Sequence, residues 1–341
     1  IAVFVETWMS DGVGNALGNY DEMFFRTRVL ENSRIYTAQG LESEGTTADF
    51  MSKANSYYYG TRFMSYLAHE YDPNRLMEWI KRKDGTKRGF ASNFKHVFDI
   101  NISKAWDNWI LFEKEFQNQN IKSLNKSEIT KDERISERVL GGVSHAFFDK
   151  KRNKIYVAVN YPGKVPHLAS LDVGTGKLKR LTDIKGPALF NVTSLAYDEN
   201  NDFLFYTTDN SANRDLYSYN LKNGQNTLLQ KNFRSGDLAY NKKDQSLWAV
   251  MHMNGINTVI RIPKFNSENP NQYYSVWEQK YTLPYGHDIF DLDISPDGTK
   301  LSAAVADYFG NQYLNIYDLA SIDNVEKEHI KFDEVFNFEV A

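Results

Sequence analysis

The chain has no cysteine among its 341 residues. A disulfide framework and a thiolate metal site are therefore both excluded, and any fold must be held by packing and hydrogen bonds. This absence fits an oxidising envelope and a reducing cytosol equally well. No apolar run approaches the ~18–20 residues that span a bilayer as a helix. No signal peptide is visible, and a chain that opens inside an apolar pattern would not show one. Neither sign of charge dominates: 40 Lys and Arg face 44 Asp and Glu, for a net charge of −4. That mild acidity gives no electrostatic reason for a nucleic-acid partner. Lys81-Arg82-Lys83 and Lys87-Arg88 read as solvated helix ends. Aromatics are plentiful, with 22 Phe, 21 Tyr and 6 Trp, which suits packed helices and strands and argues against disorder.

Several chemical signatures are missing as well. There is no GxSxG elbow, no Walker loop and no EF-hand loop. His69-Glu70 opens like a HExxH zinc motif, but Pro73 stands where the second His must fall to share the helix face. The remaining histidines are scattered without ligand spacing. "GVGNALG" at 12–18 follows apolar helical sequence rather than a strand, so it reads as a flexible loop and not as a dinucleotide site. Glu6, Asp11, Asp21 and Glu22 read as surface charge, and Asp297 reads as a turn residue.

What is present falls into two periods, in a chain long enough for two domains. From 1 to about 120, apolar residues recur at three- and four-residue steps. Phe50, Met51, Ala54, Tyr57, Tyr58, Met64 and Leu67 do so, as do Trp106, Trp109, Ile110 and Phe116, with Glu113 on the same face. Asp72-Pro73 predicts a helix start, and Ser103 a cap for the Trp-rich helix. Residues 121–141 are charged and read as a linker. From 142 to 341 the period is two, in strand-like runs such as "KIYVAV", "FLFYTT", "SLWAVM" and "KLSAAV".

The second part repeats. "HAFFDKKRNKIYVAV", "SLAYDENNDFLFYTT", "DLAYNKKDQSLWAVM" and "DLDISPDGTKLSAAV" align on turns starting at Asp149, Asp198, Asn241 and Ser295, in steps of 49, 43 and 54. Ile155, Leu204, Leu247 and Leu301 each follow by six places. A further strand lies about 20 residues after each turn: "LASLDV", "LYSYNL", "VIRIPK" and "LNIYDL". A multi-strand unit of this length predicts a β-propeller, in which sheets that cannot hide both faces stack around an axis. A β-sandwich is the alternative, though it needs no such echo.

"FDLDISPDGTKLSAAVAD" with "LNIYDL" resembles the repeats of TolB-like propellers, over 142–341. About four units are visible where that family usually has six or more, so the resemblance implies a partial propeller cut at its C-terminal end. In the helical part, "NSYYYGTRFMSYLAHEYDP" resembles the helix after the zinc site of gluzincin (peptidase MA-like) metallopeptidases. There the family shows Tyr-x-x-Gly before an apolar helix, matched here by Tyr57, Gly60, Phe63, Met64 and Leu67. Ile1 to Glu6 is similar to the stretch that follows the family's Trp-x-x-Glu-Gly. An alternative alignment sets "WMSDGVG" on that motif, with Asp11 as ligand.

The resemblance implies a multidomain α + β chain: a helical gluzincin-like part at 1–120, truncated at its start, then linker and propeller. It implies a zinc-dependent peptidase of the bacterial envelope, periplasmic or outer-membrane-associated. Zinc would be held in the intact parent protein by ligands ahead of Ile1 and by none in this chain, which would itself be inactive. Tyr57 would stabilise the oxyanion, as a neutral phenol aimed where negative charge develops; read without the resemblance, it is a packing tyrosine. The propeller would gate or bind peptide or protein substrates. The alternative is a non-catalytic scaffold whose propeller docks an envelope protein.

Overall fold

The computed structural model describes residues 1–10, 19–38, 41, 55–128, 130–136, 141–161, 163–184, 194–209, 213–263, 277–324 and 334–339. Asp11 and the 12–18 loop lie outside them. The chain divides into two compact units, Ile1–Glu133 and Arg134–Ala341. No described helix is long and apolar enough to cross a membrane.

The first unit holds α1 (Ala2–Met9), α2 (Asn19–Leu30), α3 (Asn55–Tyr71), α4 (Pro73–Ile80), α5 (Phe90–Phe98) and α6 (Ile102–Leu124). The three- and four-residue apolar spacing puts Tyr59, Phe63 and Leu67 of α3 inside, against Phe25, Trp106 and Trp109. The rings meet edge to face: Tyr59 and Phe25 centroids are 5.0 Å apart at 70°, Trp106 and Trp109 4.8 Å apart at 74°. Each such buried side chain contributes about 1.5–3 kcal/mol through burial. α1 packs on α3, and α2 on α6.

Helix ends follow local chemistry. Asp72 Oδ1 accepts the Asn74 N–H at 2.7 Å and Pro73 takes the first helical position, as expected. The expected Ser103 cap is corrected to Asn101, which caps without a side-chain bond. Asp99, at φ 59°, ends α5 in the left-handed region, and only Ile100 separates it from the Asn101 cap of α6. The segment expected as a linker from about 121 begins with the last turn of α6. α6 runs on to Leu124 because Lys, Gln and Leu sustain a helix, and the Asn125 N–H closes on the Ile121 carbonyl.

The described residues of the second unit form four antiparallel sheets in sequence order. Sheet 1 holds β1 (Gly142–Val143), β2 (Phe147–Asp149), β3 (Lys154–Asn160), β4 (His167–Asp172) and β5 (Leu178–Asp183). Both β1 and β2 pair with β3, as one interrupted inner strand. Sheet 2 holds β6 (Leu195–Asp198), β7 (Phe203–Asp209), β8 (Arg214–Asn220) and β9 (Asn226–Gln230). Sheet 3 holds β10 (Ser235–Asn241), β11 (Ser246–Met253), β12 (Ile256–Ile262) and β13 (Glu278–Thr282). Sheet 4 holds β14 (Asp288–Ile294), β15 (Lys300–Ala306), β16 (Gln312–Asp318) and β17 (Glu334–Glu339).

Successive sheets meet face to face, and each junction has its own core. Tyr156 and Leu168 of sheet 1 meet Leu195, Tyr197 and Tyr206 of sheet 2. Phe205 and Leu216 meet Leu238, Ala249 and Ile260. Trp248, Val250 and Val259 meet Ile289, Leu301 and Val305. The inner strands β6, β10 and β14 lie beside one another. This is a four-sheet propeller arrangement. The second strands of sheets 1 and 2 are buried on both faces, which explains their unbroken apolar runs, whereas β15 and β16 of sheet 4 alternate. The outer strands β5 and β13 alternate polar and half-buried residues.

Candidate functional site

An antiparallel meander places its turns at two ends. The first-to-second and third-to-fourth strand turns share one end. The second-to-third turns and the links between sheets share the other. The two ends differ in chemistry.

The first end is stitched. Asp149 Oδ1 accepts the Lys151 and Arg152 N–H groups, and Asp198 Oδ1 those of Asn200 and Asn201. Each shapes its own turn, and its second oxygen reaches the next sheet. Tyr197 donates to Asp149 at 3.1 Å, and Tyr240 donates to Asp198 at 2.7 Å. Ile294 stands at the matching place in sheet 4 and cannot donate. There Asn241 Nδ2 donates to the Gly298 carbonyl at 3.2 Å instead. Arg152 bridges Asp149 and Asp202, each at 2.7 Å, and Lys242 meets Glu199 at 3.0 Å. Burial pushes the Asp149 carboxyl up, but bonds from Arg152 and Tyr197 outweigh it and hold it below the usual range. Burial, then the Asp149 charge, push the Tyr197 phenol well above its ordinary value. Asp297 is a turn residue here, held near 2 by bonds from Ser295 and Thr299.

The other end gathers the first residue of each repeat: His145, Ser194, Asp237 and Asp291. His145 Nε2 lies 3.4 Å from Asp291 Oδ1, so sheets 1 and 4 meet there. Both β10 and β14 bulge at the aspartate, between Ser235 and Leu238 and between Phe290 and Asp293. Asp291 takes φ 56° in its bulge, which aims it away from the ladder. Burial, then the Asp291 charge, raise the Asp237 carboxyl; a backbone bond from Asp291, with His252 and Arg214, opposes this.

Gly236 makes room for this group. A Cβ there would lie 3.1 Å from Arg214 Nη1 and 3.5 Å from His252 Nε2. Asn257 Nδ2 donates to the His287 carbonyl at 2.9 Å and to Asp288 Oδ1 at 2.6 Å. Its Oδ1 therefore faces His252 Nδ1, which donates to it in a short bond. In the neutral ring that leaves His252 Nε2 as an acceptor toward Gly236 and Arg214. At the rim stand three exposed rings, Tyr285, Tyr308 and Phe309. The repeat alignment already held these four first residues. Nothing in a period-two pattern says that they converge.

Tyr57 lies on the first turn of α3 and is 55% exposed, not packed in the core. Its carbonyl accepts the Thr61 hydroxyl at 2.6 Å. His69 sits near the end of α3 with its ring 5.7 Å from Phe112. Among the described residues, no three His, Asp or Glu side chains are placed to hold a metal ion. Glu6 is exposed, but the surface reading of Asp21 is corrected: it is 2% exposed, because its turn of α2 faces inward. Glu22 lies 3.6 Å from the buried Arg62, which also binds Glu113 at 2.8 Å. Sequence reading missed this network, although Glu113 on an apolar stripe was a signal for it.

No family model matches the chain. No curated protein is similar to it. Among solved structures, TolB from Acinetobacter baumannii is similar at 15% identity and a TM-score of 0.42, over 54% of this chain and 41% of that one. A putative TolB from Agrobacterium tumefaciens gives 12% and 0.42, over 55% and 62%. A nidogen/laminin complex gives 15% and 0.41, over 60% and 66%. The chain thus spans less than two thirds of each. The propeller assignment rests on the sheets described above.

Proposed function

We propose that the chain is a binding scaffold whose four-sheet propeller holds a protein partner at the end opposite the stitched turns. The carrying observation is the difference between the two ends. Both join sheets through polar groups, as Asn257 to Asp288 and His145 to Asp291 do at the second. Only the second, among the described residues, also sets three large rings in solvent beside carboxylates and histidines. Single exposed apolar residues are ordinary, but a contiguous patch rimmed by polar groups marks an interaction surface. By resemblance to TolB-like repeats, the partner is an envelope protein, and the location is the periplasm or the outer-membrane surface.

The test is cross-linking in the native host with Tyr308→Ala/Phe309→Ala, against Lys242→Ala at the stitched end. The first is expected to abolish the cross-linked species and the second to retain it. Equal retention in both removes this end from the reading.

A second reading keeps the peptidase resemblance. Tyr57 favours it, being exposed, as does Gly60, whose Cβ position meets nothing within 4 Å among the described residues. A mid-helix glycine costs about 1 kcal/mol against alanine, and no described neighbour demands it. In this reading Tyr57 is the oxyanion donor of a zinc peptidase. The described residues do not supply a zinc site, so its ligands must come from outside them. A HExxH and a Trp-x-x-Glu-Gly ahead of Ile1 in the reading frame would favour this reading, and their absence the scaffold. With such a segment present, Tyr57→Phe should lower peptide turnover at unchanged zinc content. Unaltered turnover eliminates the role.

A further inference from the structure

We infer that the segment held at this end is cationic: a strand or loop of a partner protein that presents a Lys or Arg side chain beside an apolar residue. The inference rests on the binding reading above and adds the partner's chemistry.

Three segments build the surface. The start of β12 supplies Ile256, the β13–β14 link supplies Tyr285, and the β15–β16 loop supplies Tyr308 and Phe309. The three rings are 78%, 73% and 80% exposed. They are held in place nonetheless. Gly286 is at φ 80°, and a Cβ there would lie 2.9 Å from Tyr308 Cδ2. Any side chain at 286 would push the Tyr308 ring off the backbone it rests on. Phe309 meets Tyr308 edge to face at 5.7 Å and 85°. Tyr285 lies 3.9 Å from the Cβ position of Gly255. Such a platform loses little freedom when a partner lands on it.

Carboxylates surround the rings. Asp307 precedes Tyr308. Its Oδ1 accepts the Phe309 and Asn311 N–H groups at 2.8 and 3.0 Å, and its Oδ2 accepts Asn311 Nδ2 at 2.8 Å. These bonds, that from the Asn311 side chain first, hold it ionised below the usual range. Asp288 pairs in register with Ala306, just before Asp307, and Asp291 follows with its side chain 65% exposed. His145 stands 3.4 Å from Asp291 and His287 near Asp307, but among the described residues no Lys or Arg pairs with Asp288, Asp291 or Asp307. From Tyr281 to Asn324 the chain has seven Asp, no Glu, no Arg and one Lys. That residue, Lys300, opens β15 at the stitched end, opposite Asp318. Of the seven, Asp288, Asp291 and Asp307 stand at this end, so the local field is negative although the whole chain is nearly balanced.

The occupant must answer both features. An acidic peptide or a nucleic acid is repelled. A purely apolar segment would strip water from ionised carboxylates without pairing them. A metal ion has no set of three ligating groups among the described residues. An ammonium or guanidinium answers both, because it stacks over an aromatic face and pairs with a carboxylate, while its aliphatic stem covers the ring.

The test pans the whole chain against a random-peptide display library and measures the enriched peptides by calorimetry. Peptides with Lys or Arg next to an aromatic or aliphatic residue are expected. Their affinity should fall about tenfold with Asp288→Asn/Asp307→Asn and with rising salt, and fall further when the basic residue becomes Glu. Peptides that need Tyr308 and Phe309 but show no basic preference and ignore the Asp→Asn pair overturn the cationic inference and leave the binding reading standing. No enrichment, or binding indifferent to both pairs of substitutions, overturns both. Near-ultraviolet dichroism of each variant confirms its fold.

Discussion

Asp21 carries the clearest single-residue consequence. It is nearly inaccessible, its Oδ2 has no described hydrogen-bond partner, and burial raises it from 3.8 to about 6 against the pull of Arg62. A carboxyl raised on folding is protonated more readily in the folded state than in the unfolded one. The folded state therefore gains on the unfolded at low pH, and stability falls as pH rises from about 4 to about 6. The cost of keeping it ionised at neutral pH is on the order of 2–3 kcal/mol. Asp21→Asn should stabilise the helical unit at pH 7 and flatten that slope, as read from urea midpoints across the window. Arg62 acts in the opposite sense. Arg62→Met leaves the buried Glu113 without its cation, held by Gln117 alone, and should cost about 3–5 kcal/mol, and adding Glu113→Leu should recover most of it. A double-mutant cycle measures both. Neither role was legible in the sequence, where Asp21 looks like any first-turn acid. Burial is a property of what packs over a helix face, and composition does not report it.

At the scale of elements, the second-to-third strand pairs and the Asp149, Asp198, Asn241 and Ser295 turns were legible, because β-branched and aromatic runs bounded by turn residues have one reading. The outer strands β5, β9 and β13 were not, since a polar edge strand such as "LKRLTD" resembles a loop, although "FDEVFNFEVA" did read as the strand that β17 forms. The bulges at Asp237 and Asp291 were hidden too, because an extra residue in a strand shows only as broken register. Gly298 tests how tightly the stitched end is built. It takes φ 68°, and a Cβ there would lie 2.4 Å from Asn241 Oδ1 and 2.6 Å from Lys243 Cβ. Gly298→Ala should cost about 2 kcal/mol or more, combining backbone strain with displacement of the neighbouring turn. Chemical denaturation of the variant measures it. A loss below 0.5 kcal/mol, within the range of ordinary surface substitutions, would show that the junction between sheets 3 and 4 is looser than described.

At the scale of the molecule, two units with separate cores should unfold in separable steps. Calorimetry of the whole chain is expected to resolve two transitions. Asp21→Asn should move only the one assigned to residues 1–133, and Gly298→Ala only the one assigned to 134–341, as sites in separate cores behave. A single transition shifted equally by both would show one cooperative body instead. The binding proposal belongs to this scale as well, since its rings and carboxylates lie on loops from two sheets.

By itself, the sequence determined the classes of segment: helical to about 120, stranded and repeating beyond 142, with no cysteine chemistry. Periodicity and composition are local, so a single chain displays them. It also displayed the four repeat positions that begin with His145, Ser194, Asp237 and Asp291. Only the tertiary structure decided that these four share one end of the propeller, that one set of turns is spent on joining sheets, and that Asp21 and Glu113 lie inside. Those facts depend on which faces stack, and stacking sums weak contacts over residues far apart in the chain.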